Sequence, residues 1–111
     1  MEECVFCKII NKEVPADIVY ENDKISCFKD INPVAPLHLL IVPKKHIGSI
    51  NEISEEDKEL VGEMLLVAKK LAKDLKVDKG YKLVFNVGEE GGQLVPHLHL
   101  HLVSGRMSRW P

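Results

Sequence analysis

The sequence lacks an excess of positive charge, and it lacks any long apolar run. Among its 111 residues, 15 are Lys or Arg and 17 are Asp or Glu, so the formal net charge is −2. A protein that follows a nucleic-acid backbone must neutralise many phosphates, and we therefore expect no nucleic-acid partner. No apolar run approaches the roughly 20 residues of a membrane-spanning helix, so we expect no membrane association either.

We expect neither a secretory leader nor a disulfide framework. The opening residues Met1-Glu2-Glu3 are acidic, and no apolar leader segment follows them. The three cysteines, Cys4, Cys7 and Cys27, are too few and odd in number for a disulfide scaffold. We find no internal repeat, and 45% hydrophobic with 29% charged residues is an ordinary globular composition. These features predict one soluble, cytoplasmic domain over residues 1–111.

The spacing of apolar residues predicts a short helix, three strands, a long helix and two further strands. The predicted elements are a helix over residues 4–11, strands over 18–21, 25–28 and 37–42, a helix from Ser54 to about Leu75, and strands over 81–87 and 96–103. Ser54 is a good N-cap, and Asp57 stands at the reciprocal position of a capping box. Because helices and strands do not alternate strictly, an α+β domain with a five-stranded, mainly antiparallel sheet is favoured over a doubly wound fold.

Three of the five histidines stand at every second position of the last predicted strand: His97, His99 and His101. On a strand they share one face, while the leucines between them face the core. One interpretation is a solvated polar face, but such faces normally carry Thr, Lys or Glu. A second is a metal site with histidine ligands. A third is nucleophilic and acid–base chemistry by imidazole, which titrates near neutral pH.

A glycine-rich loop directly precedes this strand. Gly88, Gly91 and Gly92 lead into Gln93, and the backbone N–H groups of such a loop can approach an anion closely. The glycines alone would also suit a loose, flexible hairpin. Their position beside the histidines favours a phosphate site, because one imidazole can attack phosphorus while others donate to its oxygens.

The segment His97-Leu98-His99-Leu100-His101-Leu102-Val103 resembles the signature of the histidine triad family, in which three histidines alternate with apolar residues. Other segments resemble further blocks of that family in the same order: Phe6-Cys7-Lys8-Ile9-Ile10, Phe28-Lys29-Asp30-Ile31, His38, Ile41-Val42-Pro43-Lys44-Lys45-His46-Ile47 and Gly91-Gly92-Gln93. The closing Gly105-Arg106-Met107-Ser108-Arg109-Trp110-Pro111 resembles the Hint branch. The resemblance covers nearly the whole chain and implies a single domain of the HIT-like fold.

The resemblance implies a nucleotidyl hydrolase that acts on purine nucleoside phosphoramidates, including adenylated amines, and releases AMP or GMP. His99, the middle histidine, would be the nucleophile, and water would cleave the nucleotidyl-imidazole intermediate. No cofactor would be required for this chemistry. Two other functions stay open: hydrolysis of dinucleoside polyphosphates, and a nucleotide-binding sensor or scaffold with weak catalysis.

The same resemblance assigns roles to the remaining site residues. His101, Asn86, Gly92 and Gln93 would contact the phosphate or the bridging atom, His38 would support the triad, Asp30 would hold the ribose hydroxyls, and Phe6, Ile9, Phe28 and Ile31 would line the base pocket. From residue types alone, Phe28 and Ile31 could equally be core, and Asp30 could be a turn residue. Leu94 departs from the serine common in the Hint branch, which puts rate or leaving-group preference in doubt. His101 in place of glutamine argues against the uridylyltransferase relatives.

The resemblance also implies a structural zinc ion bound by Cys4, Cys7, His46 and His97. Two thiolates and two imidazoles make a closed tetrahedral set. The alternative is a pair of reduced cysteines with a surface histidine. A redox pair is less favoured, because no βαβ unit surrounds the motif. Cys27 has no evident partner and is expected in the core.

The long predicted helix indicates a homodimer. Its apolar stripe is wider than one sheet face can cover, and such a remainder usually marks an interface. The resemblance implies pairing through this helix and the following strand, which would join two sheets into one of ten strands. It also implies that Trp110 lies near the partner's active site and tunes leaving-group choice.

Overall fold

The computed structural model describes residues 4–106, and its elements follow the predicted order. The helices and strands are α1 (Val5–Ile10), β1 (Ile18–Glu21), β2 (Ile25–Lys29), β3 (Leu37–Pro43), α2 (Lys58–Asp74), β4 (Lys82–Val84) and β5 (Leu100–Ser104). Single 3-10 turns cover Ile50–Glu52, Glu55–Asp57 and Glu89–Gly91. Within residues 4–106, no helix is long and apolar enough to cross a membrane. The prediction for Trp110 lies outside the described residues.

The five strands form one antiparallel sheet in the order β1-β2-β3-β5-β4. β3 and β5 lie next to each other near the middle, with Leu40 opposite His101. Side chains alternate between the two faces of a strand, so the two sheet faces carry separate apolar clusters. This arrangement confirms the predicted α+β class with one long and one short helix.

One sheet face packs against α2. The three leucines that alternate with the histidines lie in this core, as predicted, together with Cys27. The buried residues of α2 that meet them are Met64, Val67, Ala68, Leu71 and Ala72. The helix begins at Lys58, after a 3-10 turn in which Asp57 Oδ2 accepts the backbone N–H of Ser54 at 3.0 Å. The predicted start at Ser54 therefore marks the capping turn and not the α-helix itself.

The other sheet face packs against α1. Phe6 and Ile9 of α1 form a second buried cluster with Phe28, Leu40 and Val42. The residues of β2 and β3 alternate between the two clusters, which is the expected behaviour of strands covered on both faces.

The last two strands are shorter than predicted. β5 begins at Leu100, so His97 lies in a bend over residues 95–97 and His99 lies in the short segment between that bend and the strand. Pro43, at the end of β3, has no N–H, and its carbonyl accepts a hydrogen bond from the His97 ring at 2.8 Å. The N–H of Leu98 donates to Ile47 O at 2.6 Å. The Leu98 backbone thus pairs with a residue outside the sheet, and β4, which pairs with β5, ends at Val84, before its predicted end.

Candidate active site and metal centre

The imidazoles of His97, His99 and His101 form a buried row on the α1 side of the sheet. The His99 and His101 ring centroids are 4.9 Å apart. The Phe6 ring lies against both His97, at 5.9 Å, and His99, at 5.0 Å. Because these rings are buried, they are not the solvated face of a surface strand.

At one end of the row, His97 belongs to a cluster of four metal-type ligands. Its Nδ1 lies 3.3 Å from Cys4 Sγ, and His46 Nδ1 lies 3.3 Å from Cys7 Sγ. The four ligand atoms of Cys4, Cys7, His46 and His97 all lie within 4.8 Å of one another. Cys4 reaches this position as the N-cap of α1, where its Sγ accepts the N–H of Cys7 at 3.4 Å.

The hydrogen bond of His97 prepares it to be a ligand. Its Nε2 donates to Pro43 O at 2.8 Å, so the lone pair is on Nδ1, which faces the thiols. Burial lowers the pKa of His97 to about 4, which keeps the ring neutral. In the protein without metal, burial and the neighbouring Cys4 raise the pKa of Cys7. This donor set fits a closed tetrahedral zinc site.

His99, in the middle of the row, carries a different hydrogen bond. Its Nδ1 donates to the carbonyl oxygen of His97 at 2.7 Å, so its lone pair is on Nε2. Burial lowers the pKa of this imidazole, which favours the neutral form at pH 7. A neutral imidazole whose second nitrogen is held by an acceptor is arranged as a nucleophile.

At the other end, His101 pairs with His38 from β3. His38 Nε2 lies 2.9 Å from His101 Nδ1. His38 Nδ1 in turn accepts the backbone N–H of Val34 at 3.1 Å. Burial lowers the pKa of His38, and burial together with the neighbouring imidazoles lowers the pKa of His101 to about 3. The carboxamide of Asn86 lies 3.5 Å from His101 Nε2, and its contact to phosphate stays a prediction.

The predicted nucleotide pocket comes together only in part. Phe6 and Phe28 meet edge to face at 5.5 Å, and Ile9 is buried beside them. Asp30 Oδ2 lies 3.4 Å from His38 Nε2, so this carboxylate borders the site. Ile31 is 89% exposed and lies outside the buried cluster.

The Gln93 side chain bonds to the backbone around the glycine loop, and its predicted phosphate contact stays a prediction. Its Nε2 donates to Gly48 O at 2.8 Å and to Val95 O at 2.9 Å, and its Oε1 accepts the N–H of Gly88 at 2.9 Å. A phosphate contact through the amide would require one of these bonds to break. The carboxamide holds the glycine loop in an ordered turn, where a flexible loop was expected.

Of the loop glycines, Gly92 lies nearest to a predicted site residue. Gly92 has φ +90°, and a Cβ there would meet Asn86 Cγ at 3.9 Å. Leu94, which replaces the serine of many Hint proteins, is 92% exposed.

Backbone groups that orient two rings were missed by the sequence analysis. The Pro43 carbonyl orients His97, and the Val34 N–H orients His38. Every residue carries such groups, so no side-chain pattern could have found them. The only sequence signal was the proximity of both positions to predicted strand ends.

The fold and the imidazole row together define a histidine triad protein. Comparisons with known proteins agree with this class. Residues 3–109 match the family model described as scavenger mRNA decapping enzyme C-term binding. An uncharacterised HIT-like protein of Synechocystis sp. is 48% identical over 110 residues, which cover 99% of this chain and 96% of the relative.

Solved structures match over the whole fold. A HIT family hydrolase from Legionella pneumophila has a TM-score of 0.93 and 52% identity, covering 98% of both chains. A histidine triad nucleotide-binding protein from Candida albicans has a TM-score of 0.84 and 36% identity, covering 98% of this chain and 83% of that one. The chain belongs to the histidine triad (HIT) family.

Proposed function

We propose that this protein is a hydrolase that cleaves purine nucleoside phosphoramidates to the nucleoside monophosphate. The observation that carries the proposal is the hydrogen bond from His99 Nδ1 to His97 O, which leaves the Nε2 lone pair for attack on phosphorus. Membership of a family with a hydrolase and a nucleotide-binding protein among its solved structures supports it.

The reaction would proceed in two displacements. His99 Nε2 attacks the α-phosphorus, the bond from phosphorus to the amine nitrogen breaks, and the amine leaves with its electron pair and a proton taken from solvent. Water then displaces His99 from phosphorus and returns one proton to solvent, so the two steps together consume one water and restore the imidazole. His101 and Asn86, at the same end of the row, would contact the phosphate and support the departing group.

The buried aromatic cluster suits a purine base. Phe6 and Phe28 offer apolar surface beside His99, and aromatic walls bind flat bases well. The Asp30 carboxylate could accept hydrogen bonds from two vicinal ribose hydroxyls. These contacts would select a nucleotide over a simple phosphoramidate.

A turnover assay separates the three candidate functions. The purified protein would be given adenosine 5′-phosphoramidate and, separately, diadenosine polyphosphates, and the release of AMP would be followed by chromatography. The proposal expects faster AMP release from the phosphoramidate. A preference for diadenosine polyphosphates would replace it with the dinucleotide activity, and AMP binding without turnover of either substrate would favour a sensor.

We also propose that Cys4, Cys7, His46 and His97 bind a structural zinc ion. Zinc there would tie the start of α1 to the segment before β5. The closed set of four protein ligands supports a structural role, because a catalytic zinc keeps one position open. The histidine chemistry at His99 would not require the ion.

A homodimer is proposed from apolar surface that the described residues leave exposed. Leu66 of α2 is 66% exposed, and Leu83 is 37% exposed on β4, at one edge of the sheet. An exposed apolar edge strand invites pairing with a second copy. Two copies joined along β4 would form a ten-stranded sheet.

Light scattering tests this assembly. We expect a mass of twice the 12.5 kDa chain, and we expect Leu83→Glu to reduce it to that of one chain. Val19→Glu is the matched control, because Val19 is also 37% exposed but lies on β1, at the opposite edge. A wild-type mass of one chain at micromolar concentration would contradict the dimer.

A further inference from the structure

The Asp30 carboxylate, predicted to hold the ribose hydroxyls, also lies beside the His38–His101 pair. Its Oδ2 lies 3.4 Å from His38 Nε2, and its Oδ1 accepts the N–H of Asn32 at 2.8 Å. The second bond is an Asx turn, which fixes the carboxylate on the loop after β2. The side chain of His38 is almost fully buried, and that of Asp30 is only 20% exposed.

The position of each proton in this group follows from a backbone donor. The backbone N–H of Val34 can only donate, so it favours the tautomer in which His38 Nδ1 accepts and the proton of neutral His38 is on Nε2. That Nε2–H donates to His101 Nδ1 at 2.9 Å, and the negative charge of Asp30 Oδ2, 3.4 Å from the same nitrogen, further favours a proton there. His101 Nδ1 must then accept, which leaves the His101 proton on Nε2.

The opposite pair of tautomers, with the protons of His101 and His38 on Nδ1, fits the observed hydrogen bonds less well. It would begin with the Asn86 amide donating to His101 Nε2 over 3.5 Å, and it would end with two donors facing each other at Val34 and His38. The Asn86 carboxamide can rotate to turn its oxygen toward His101, whereas the backbone N–H of Val34 can only donate. Asp30, which only accepts when ionised, favours the first arrangement.

We propose that Asp30 is a positioning residue, which acts through His38 to hold the proton of His101 on Nε2. His101 thereby presents a hydrogen-bond donor toward Asn86 and the proposed phosphate site. This role is additional to any contact with ribose, and its kinetic consequence rests on the proposed function. If a bound ribose drew Oδ2 away from His38, the preference of the His38 proton for Nε2 over Nδ1 would weaken. Ribose binding would thereby influence the tautomer of His101.

A metal ion is the competing explanation for the same cluster. One ligand atom each from Asp30, His38 and His101 lies within 4.8 Å of the others, as metal ligands would. The Val34 N–H argues against this, because it puts a proton on the His38 nitrogen that would have to ligate.

Nuclear magnetic resonance on the ligand-free protein tests the proton positions without any assumption about activity. Long-range ¹H–¹⁵N spectra of the imidazoles, assigned with a His101→Asn variant, should show His101 with its proton on Nε2. Asp30→Asn keeps an oxygen for the Asx turn but can present an NH₂ to His38, so the His101 signals should move toward the other tautomer. Asp17→Asn is the control, because that carboxylate pairs with Lys29 on the surface. Unchanged His101 signals in Asp30→Asn would overturn the proposal.

A kinetic experiment separates positioning from ribose binding. The substrate is 2′,3′-dideoxyadenosine 5′-phosphoramidate, which has no ribose hydroxyls for Asp30 to hold. If Asp30 acts through His38, Asp30→Asn should still lower kcat by about tenfold, because the negative charge that favours the reactive tautomer of His101 is lost. Equal kcat values for wild type and variant on this substrate would assign Asp30 to ribose alone.

Two further outcomes are distinguishable. If the wild type hydrolyses no phosphoramidate, the proposed function fails, and the spectra still decide the positioning role. If zinc titration gives a second ion per chain that Asp30→Asn removes, the cluster is a metal site and the positioning proposal is overturned.

Discussion

The two ends of the histidine row are built from the same side chain, yet they differ in what surrounds it. At the His97 end the neighbours are two thiols and a further imidazole, and no carboxylate belongs to the ligand set. At the His101 end the neighbours are His38, the Asn86 amide and the Asp30 carboxylate. Soft sulfur ligands suit zinc, whereas amide and carboxylate groups suit a polar substrate.

The hydrogen bonds of the rings show the same division. His97 gives its Nε2 proton to Pro43 O and turns Nδ1 toward the thiols, whereas His99 gives its Nδ1 proton to His97 O and leaves Nε2 for chemistry. Each imidazole thus has its tautomer set by a backbone carbonyl. Residues two positions apart acquire different roles because different backbone groups hold them.

The largest expected effect comes from removing the central ring. His99→Ala should lower turnover of adenosine phosphoramidate by at least about a thousandfold, because a covalent nucleophile is lost. AMP binding should stay measurable, and the zinc content should stay close to that of the wild type. Turnover within about tenfold of the wild type would show that another residue is the nucleophile.

The second-largest effect is expected at the His97 end of the row, where the proposed zinc ligands lie. Cys4→Ser should lower the zinc content from near one ion per chain and should reduce the melting temperature by about 5 °C, since binding of a structural metal contributes to folding. Metal analysis and thermal unfolding of protein purified without chelator measure both. Cys27→Ala is the control, because it removes a thiol that lies in the α2 core. Zinc that survives Cys4→Ser but disappears in His99→Ala would move the metal to the active site.

A smaller effect is expected from pH. The pKa of His101 is about 3 in the folded protein, against an ordinary value of 6.5. Between these values the unfolded chain binds more protons, so this contribution to stability is fully present above pH 6.5 and is lost as the pH falls toward 3. The urea concentration at the unfolding midpoint should therefore be lower at pH 5 than at pH 7, and the difference should be smaller in His101→Gln. An equal fall in both proteins would mean that His101 does not carry the effect.

Much of the fold could be predicted because its elements follow simple periods. The apolar spacing in α2 and the alternation around His99 indicate which faces are buried, and the core bears this out. Strand ends were predicted less well, because the start of β5 depends on which backbone donors and acceptors the adjacent segments present. Pro43 ends β3 without a donor, and the backbone of Leu98 pairs with Ile47 instead of continuing the sheet.

The sequence by itself determined the α+β order of elements and the histidine row, because side-chain type and spacing are written in it directly, whereas the proposed zinc ligands came from its resemblance to a family. Only the tertiary structure decided that Gln93 holds the loop, that Ile31 stays exposed and that Asp30 reaches His38. These depend on distances between residues far apart in the chain and on backbone donors and acceptors that every residue carries. Such groups acquire a role only when folding brings a partner within hydrogen-bond distance.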